Sequence, residues 1–239
     1  MLLVSVAAIS GIYLGQSVGE DQYPILEWKD GVPVAQRFDD PYFSLADGLA
    51  ETRHVFLDGN DLPARFRDGF HIAELGFGTG LNCLTALQAW RAAGVPGRLR
   101  FTSFELYPMR VEDMAASLAA FPELEAQAAP VLEGLRRGWR VSLDDLDLTV
   151  IVGDARQTLR AWDGRANAWF LDGFSPAKNP ELWEPGLLAE VAGHTASGGT
   201  AATYSAAGAV RRALAEAGFE VERRAGFGRK RHMTVARLA

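Results

Sequence analysis

Glu74-Leu75-Gly76-Phe77-Gly78-Thr79-Gly80-Leu81-Asn82 decides the fold of this chain. An apolar run over 70–75 leads into it, and Leu81, Leu84, Leu87 and Trp90, spaced by three, leave it as one face of a helix that Gly94 and Pro96 stop. Three glycines between a strand and a helix permit a tight turn and a close backbone approach, as a bound nucleoside requires. The turn alone does not choose among nucleoside-bearing ligands, and a plain strand-to-helix turn needs no ligand.

Outward from this turn, further strands are expected at 100–105, 148–152, 168–172, 199–204 and 233–238, most of them separated by helical patterns. That rhythm predicts an α/β fold, a Rossmann-like and largely parallel sheet covered by helices on both faces, with ligands at the carboxyl ends of the strands. Two stretches break the repeat. One is a polar, turn-rich segment up to Arg67. The other is an insertion over 107–147, expected to hold one or two helices and then a hairpin in which 140–143 turns through Asp144 and Asp145.

The composition suits one soluble globular domain: 239 residues, 48% hydrophobic and 23% charged. A single cysteine, Cys83, excludes an internal disulfide and any multi-cysteine metal site, and the four histidines show no metal-ligand spacing. No metal and a reducing, cytoplasmic compartment are therefore expected. The apolar stretch 2–18 lacks a basic start and a clear cleavage site, and Ser5, Ser10, Gly11, Gly15 and Gln16 interrupt it. Secretion and membrane anchoring are not expected; a packed N-terminal strand, or a start placed too far upstream, accounts for it.

The net charge of −6 is unevenly spread. Residues 205–239 carry eight basic and three acidic side chains, which leaves −11 for residues 1–204. A polyanion would have to meet a local patch, for which Arg229, Lys230 and Arg231 between turn glycines are the candidates; a solvated turn is the blander account.

Acids at the later strand ends sharpen the ligand class. Glu105 ends the second strand, where a carboxylate accepts both ribose hydroxyls. Asp154, followed by Ala155, ends the third, where it can accept the exocyclic amine of adenine. Dehydrogenases share the first acid but not usually the second, no basic residue follows Glu105 closely to receive a 2′-phosphate, and the loop is not a P-loop. Glu74 adds an expected negative charge. Together with Gly76, Phe77, Gly78, Thr79, Gly80 and Asn82, these residues suit a cationic cofactor, S-adenosyl-L-methionine, better than a pyrophosphate.

The fourth strand delivers Asp172 into the loop Asp172-Gly173-Phe174-Ser175-Pro176-Ala177-Lys178-Asn179-Pro180. An acceptor amine must be neutral and in line before it is methylated, so a carboxylate here can remove the proton and orient the nitrogen. Asp-Gly also commonly marks a turn, and a loop-capping role is the alternative. Phe174, Lys178 and Asn179 are expected on the substrate side. So are Phe38, Asp39, Asp40, Tyr42 and Phe43, where two adjacent acids beside aromatics suit a cationic substituent, against the alternative that the aromatics are core.

Several motifs, in order, carry a family resemblance: Phe38-Asp39-Asp40-Pro41-Tyr42-Phe43-Ser44, Gly48-Leu49-Ala50-Glu51-Thr52-Arg53, Gly59-Asn60-Asp61-Leu62, the glycine-rich turn, the loop from Leu171 to Pro180, and Gly226-Phe227-Gly228-Arg229-Lys230-Arg231. They resemble the methyltransferase part of the bacterial MnmC family, which also occurs alone as MnmD, the tRNA (5-methylaminomethyl-2-thiouridine) methyltransferases. The resemblance spans roughly residues 28–238. Departures are small: Ser175 stands where alanine is common in F-A-P, and His54 where tyrosine is frequent after E-T-R.

What the resemblance implies is a class I S-adenosylmethionine-dependent methyltransferase sheet with an antiparallel last strand, and methyl transfer to the 5-aminomethyl group of wobble uridine 34 in tRNA, with or without 2-thiolation. tRNA, at its anticodon region, is then the partner, and a separate enzyme supplying the aminomethyl precursor is a functional link. The larger family member also carries an FAD-dependent oxidoreductase domain; this chain ends at Ala239, so flavin chemistry is not carried over. Residues 28–239 are read as one methyltransferase domain after an N-terminal segment 1–27 of open role, with 28–67 a substrate-side extension. Two other functions compete. The overall acidity favours an N-methyltransferase of a small-molecule amine, against which the basic loop weighs; a non-catalytic cofactor-binding module that docks to tRNA is opposed by retention of Asp172, Glu105, Asp154 and the loop glycines.

Overall fold

The computed structural model describes residues 18–44 and 47–239, so nearly all of the apolar stretch 2–18 lies outside the described residues. Strand β4 (His71–Leu75) is buried along its whole length, as befits a parallel strand covered on both faces. It lies between β5 (Leu99–Glu105) and β8 (Ala166–Leu171) in an eight-stranded sheet. Outside β5 come β7 (Leu146–Val152) and then β6 (Arg140–Ser142); outside β8 come β9 (Thr195–Thr203), β11 (His232–Leu238) and finally β10 (Phe219–Ala225). The strands from β7 through β5, β4 and β8 to β9 are parallel, whereas β11 is antiparallel to both neighbours.

Alternate residues of each strand face opposite layers. Ile72, Phe101, Leu148 and Phe170 join one hydrophobic core with Leu84, Leu87 and Trp90 of helix α2 (Leu81–Ala93). Ala73, Phe104, Trp169 and Leu171 join the other, beneath α5 (Ala155–Thr158), α6 (Pro185–Gly193) and α7 (Gly208–Glu216). The expected stop of α2 is present: Gly94 takes the left-handed conformation, φ 63°, that ends a helix. Residues 107–147 hold α3 (Val111–Leu118), α4 (Glu125–Leu135) and the β6–β7 hairpin.

Three features differ from expectation. Strand β10 was not anticipated, because Phe219–Ala225 is rich in charge; it lies at the sheet edge, where most of its side chains reach solvent. The fourth strand ends at Leu171, one residue early, so Asp172 belongs to the loop. The polar N-terminal stretch is well structured: β1 (Leu26–Lys29) and β2 (Val32–Ala35) form a hairpin across Asp30-Gly31, both at positive φ, and β3 (Asp40–Pro41) pairs with β2. A helical run beginning with α1 (Gly48–Thr52) then buries Val55, Phe56 and Leu57 against the sheet.

Candidate active site

Helices leave the two sides of the sheet where the order changes direction, between β4 with β5 on one side and β8 on the other, and a crevice opens at the strand ends there. It holds a cavity of about 1050 Å³. Gly76, Glu105, Asp154, Asp172 and Tyr204, each just past or at the end of a neighbouring strand, meet around it. The strand ends are bound together: Gly76 N–H donates to the Phe104 carbonyl, Gly153 N–H to that of Glu105 and Asp172 N–H to that of Leu75.

Gly76 cannot be another residue without strain. Its φ is +88°, and a Cβ there would collide with the carbonyl oxygen of Asp172. The turn thus presses directly on the loop that carries the candidate base.

Glu105 shapes the turn from the other side. Its Oε2 accepts N–H bonds from Phe77 at 2.9 Å and Gly78 at 3.1 Å, and Oε1 accepts one from Tyr107 at 2.8 Å. Burial nonetheless pushes this carboxyl above its ordinary range. A carboxylate so placed, with lone-pair capacity remaining at the cavity wall, fits a vicinal diol, whose donors would offset the desolvation.

Asp154 has partners that sequence reasoning did not foresee. Its side chain caps α5 by accepting from Arg156 N–H, and the Arg156 guanidinium grips it at 2.7 Å while also reaching Glu184 at 3.2 Å. This pairing holds the Asp154 carboxyl below its ordinary range. A donor from an adenine edge would share a carboxylate already engaged.

Glu74 requires a correction. It does not line the cavity and is fully buried, its carboxyl held by Asn82 Nδ2 at 2.9 Å and Ser103 Oγ at 2.7 Å. Burial, against those two hydrogen bonds, pushes its carboxyl upward, and its place off the cavity wall makes it a structural acid of the core, away from the position expected beside a cationic cofactor. Gly80 is likewise off the cavity wall, starting α2 at φ 80°. Phe77, Gly78, Thr79, Asn82 and Ala155 do line it.

Asp172 lies half-buried at the cavity floor, where Asn82 Nδ2 donates to its Oδ2 at 2.6 Å. Burial, against that hydrogen bond, pushes the carboxyl up to about 7. A group with this value can take a proton from an ammonium and release it again near neutrality.

The N-terminal residues close one side of the cavity, and the structure revises their expected contacts. Phe38 stacks on Phe174 with centroids 4.7 Å apart, and Tyr42 meets the same ring edge-on at 5.1 Å. Asp39 does not line the cavity; Lys178 is bonded to its carbonyl oxygen and pairs with its carboxylate at 3.4 Å. Lys178 also pairs with Asp40 at 3.5 Å, whose Oδ2 accepts Ser175 N–H at 2.9 Å. The two acids therefore hold the 172–180 loop, and the aromatics pack together over the cavity; Phe43, which meets Phe121, and Asn179 also line it.

The basic loop divides. Arg229 lines the cavity rim and Arg231 does not; both are exposed, and neither pairs with a carboxylate among the described residues. Lys230 turns inward, 2.7 Å from Glu51 Oε1 and 4.3 Å above the Tyr204 ring. Glu51, Tyr204 and Tyr107 are cavity residues that sequence reasoning passed over. The strand-end rule that found Asp172 would also have found Tyr204, one residue past β9; no local signal marks Glu51. Among the described residues no group of three or more His, Cys, Asp or Glu could hold a metal, and no helix is long and apolar enough to cross a membrane.

A nucleoside cradle and a tunable carboxylate at the switch point of a sheet with an antiparallel next-to-edge strand define a class I methyltransferase. Comparison with known proteins agrees. The model of a family described as S-adenosyl-L-methionine-dependent methyltransferase matches residues 121–239. The tRNA 5-methylaminomethyl-2-thiouridine biosynthesis bifunctional protein MnmC of Caulobacter sp. (strain K31) is 49% identical over 227 residues, 89% of this chain and 38% of that protein. Its counterpart in Stutzerimonas stutzeri (strain A1501) is 45% identical over 230 residues, covering 91% and 35%. The crystal structure of MnmC2 from Aquifex aeolicus superposes with a TM-score of 0.72 at 24% identity, over 93% of this chain and 78% of that one, and so shares the fold. Over residues 121–239 the chain is similar to the S-adenosyl-L-methionine-dependent methyltransferases, and over about nine-tenths of its length it is similar to part of the two MnmC proteins. It spans a little over a third of the length of these two curated relatives.

Proposed function

We propose that this protein transfers a methyl group from S-adenosyl-L-methionine to the 5-aminomethyl nitrogen of wobble uridine 34 in tRNA, giving 5-methylaminomethyl-uridine with or without 2-thiolation. The observation that carries this reading is Asp172 at the floor of the cavity, pushed up to about 7 and oriented by Asn82. When bound, S-adenosyl-L-methionine supplies an electrophilic methyl group. Glu105 and the backbone of Gly76–Gly78 would hold its ribose, and Asp154 with Ala155 its adenine.

The chain's own residues then act on the acceptor. Asp172 takes one proton from the aminomethyl ammonium, which frees the nitrogen lone pair to form the new N–C bond as the bond between the methyl group and sulfur breaks, its electron pair staying on sulfur. Phe38, Phe174 and Tyr42 exclude water from that side and offer apolar surface to the base. Residues 28–67 serve as the substrate-side extension of one domain over 28–239, and exposed Arg229 and Arg231 meet the backbone of the anticodon arm. The setting is cytoplasmic, with a separate enzyme supplying the aminomethyl precursor.

The test incubates the protein with labelled cofactor and tRNA carrying 5-aminomethyluridine, then digests the tRNA and identifies the labelled nucleoside. Label in 5-methylaminomethyluridine is the expected result. Label found only in free amines, or in no nucleic acid, overturns the proposal.

A further inference from the structure

The ammonium of Lys230 occupies a small site built from two cavity residues. Glu51, whose side chain is 13% exposed, receives it at 2.7 Å; the Tyr204 ring lies beneath it at 4.3 Å. That ring is itself fixed, since the Tyr204 hydroxyl donates at 2.6 Å to the carbonyl of Gly173, the residue after Asp172. Lys230 is 46% exposed along its side chain, so its flexible stem can swing out without disturbing packed structure.

A carboxylate beside an aromatic face is a receptor for an alkylammonium. The lysine side chain ends in CH₂–NH₃⁺, the same group that a 5-aminomethyl base presents. We propose that Glu51 and the face of Tyr204 form the acceptor-ammonium subsite, and that Lys230 fills it as an internal stand-in which the substrate displaces. This rests on the aminomethyl acceptor reading above. It makes Glu51 a binding residue distinct from Asp172: Glu51 holds the ammonium on entry, and Asp172, on the other side of Gly173, receives its proton. It also replaces the expected phosphate contact of Lys230 with an inward role, in which the lysine keeps other cations from the site until the right one arrives.

The signs of two variants separate this from the alternatives. Lys230→Met removes the competitor, and the apparent KM for aminomethyl-tRNA should fall, by about tenfold if the stand-in fills the site nine-tenths of the time. Glu51→Gln removes the anchor and should raise KM by about ten- to a hundredfold, with cofactor affinity unchanged. If the pair merely fastens the loop, both variants raise KM together; if Lys230 contacts phosphate, Lys230→Met weakens binding of unmodified tRNA and lowers its salt dependence. Either result overturns the proposal. A second readout needs no methylation: calorimetry with ethylammonium chloride should show binding to Lys230→Met that is weaker in wild type and lost in the Glu51→Gln, Lys230→Met double variant. No difference among the three overturns the subsite. Ethylammonium bound in this pattern by a protein that leaves aminomethyl-tRNA unmethylated would keep the subsite and overturn the tRNA reading.

Discussion

Asn82 bridges two acids of opposite fate, its Nδ2 lying 2.6 Å from Asp172 Oδ2 and 2.9 Å from Glu74 Oε1. The second residue of α2 thereby couples the buried core to the reacting end of the cavity. Because the amide donates to the charged form of Asp172, it lowers that carboxyl against the effect of burial. In Asn82→Leu the restraint is gone, and the Asp172 value should rise above about 7. The ionised fraction at neutral pH then drops, so a pH–rate profile should show its acidic limb moved to higher pH with activity recovering there. An unmoved limb would show that another group titrates.

Asp172→Asn should lower the methylation rate by about 10²- to 10⁴-fold, the usual contribution of a positioned base. Calorimetry should find cofactor affinity little altered, since Glu105 and Asp154 stand on other strands. A near-normal rate would reduce Asp172 to a loop cap.

Glu74→Gln tests the correction made for that residue. Burial pushes the Glu74 carboxyl up in the folded state, so folding favours its protonated form relative to the unfolded chain. Its stabilisation is therefore complete at low pH and erodes as pH rises towards the folded value. The neutral amide escapes this loss, so melting temperatures measured from pH 5 to 9 should fall less steeply in the variant, with the gap widening as pH rises. Parallel curves would mean that Glu74 is ionised in the folded protein.

Gly76→Ala should destabilise the protein by at least about 1–3 kcal/mol from backbone strain at positive φ alone. The added Cβ must also displace the Asp172 carbonyl, into which it would project. Thermal melts and cofactor titration should both report the damage; wild-type values in both would mean that the turn does not govern the cradle.

Replacing Arg229 and Arg231 with alanine should weaken tRNA binding and reduce the log–log salt slope by roughly 0.7 to 0.9 for each phosphate that is no longer neutralised. Cofactor binding should stay as it was. Unchanged salt dependence would move tRNA recognition to the N-terminal segment or the 107–147 insertion.

Most of the sheet, its glycine-rich turn and the strand-end acids were legible in the residues alone, because these depend on local signals: runs of apolar residues, helical spacing, and glycines where the backbone must take positive φ. Family motifs added the class of chemistry. The edge strand Phe219–Ala225 escaped notice because a strand exposed to solvent needs no apolar pattern. The charges at the site were decided only by the tertiary structure. Glu74 and Asp172 are both acids at the ends of apolar strands, yet one is sealed beneath the turn and the other opens on the cavity. Asp39, Asp40 and Lys230 read as free charges until partners far along the chain, Lys178 and Glu51, came within bonding distance. What a charged side chain does depends on desolvation and on the opposite charge beside it, and both are set by residues that sequence spacing does not bring together.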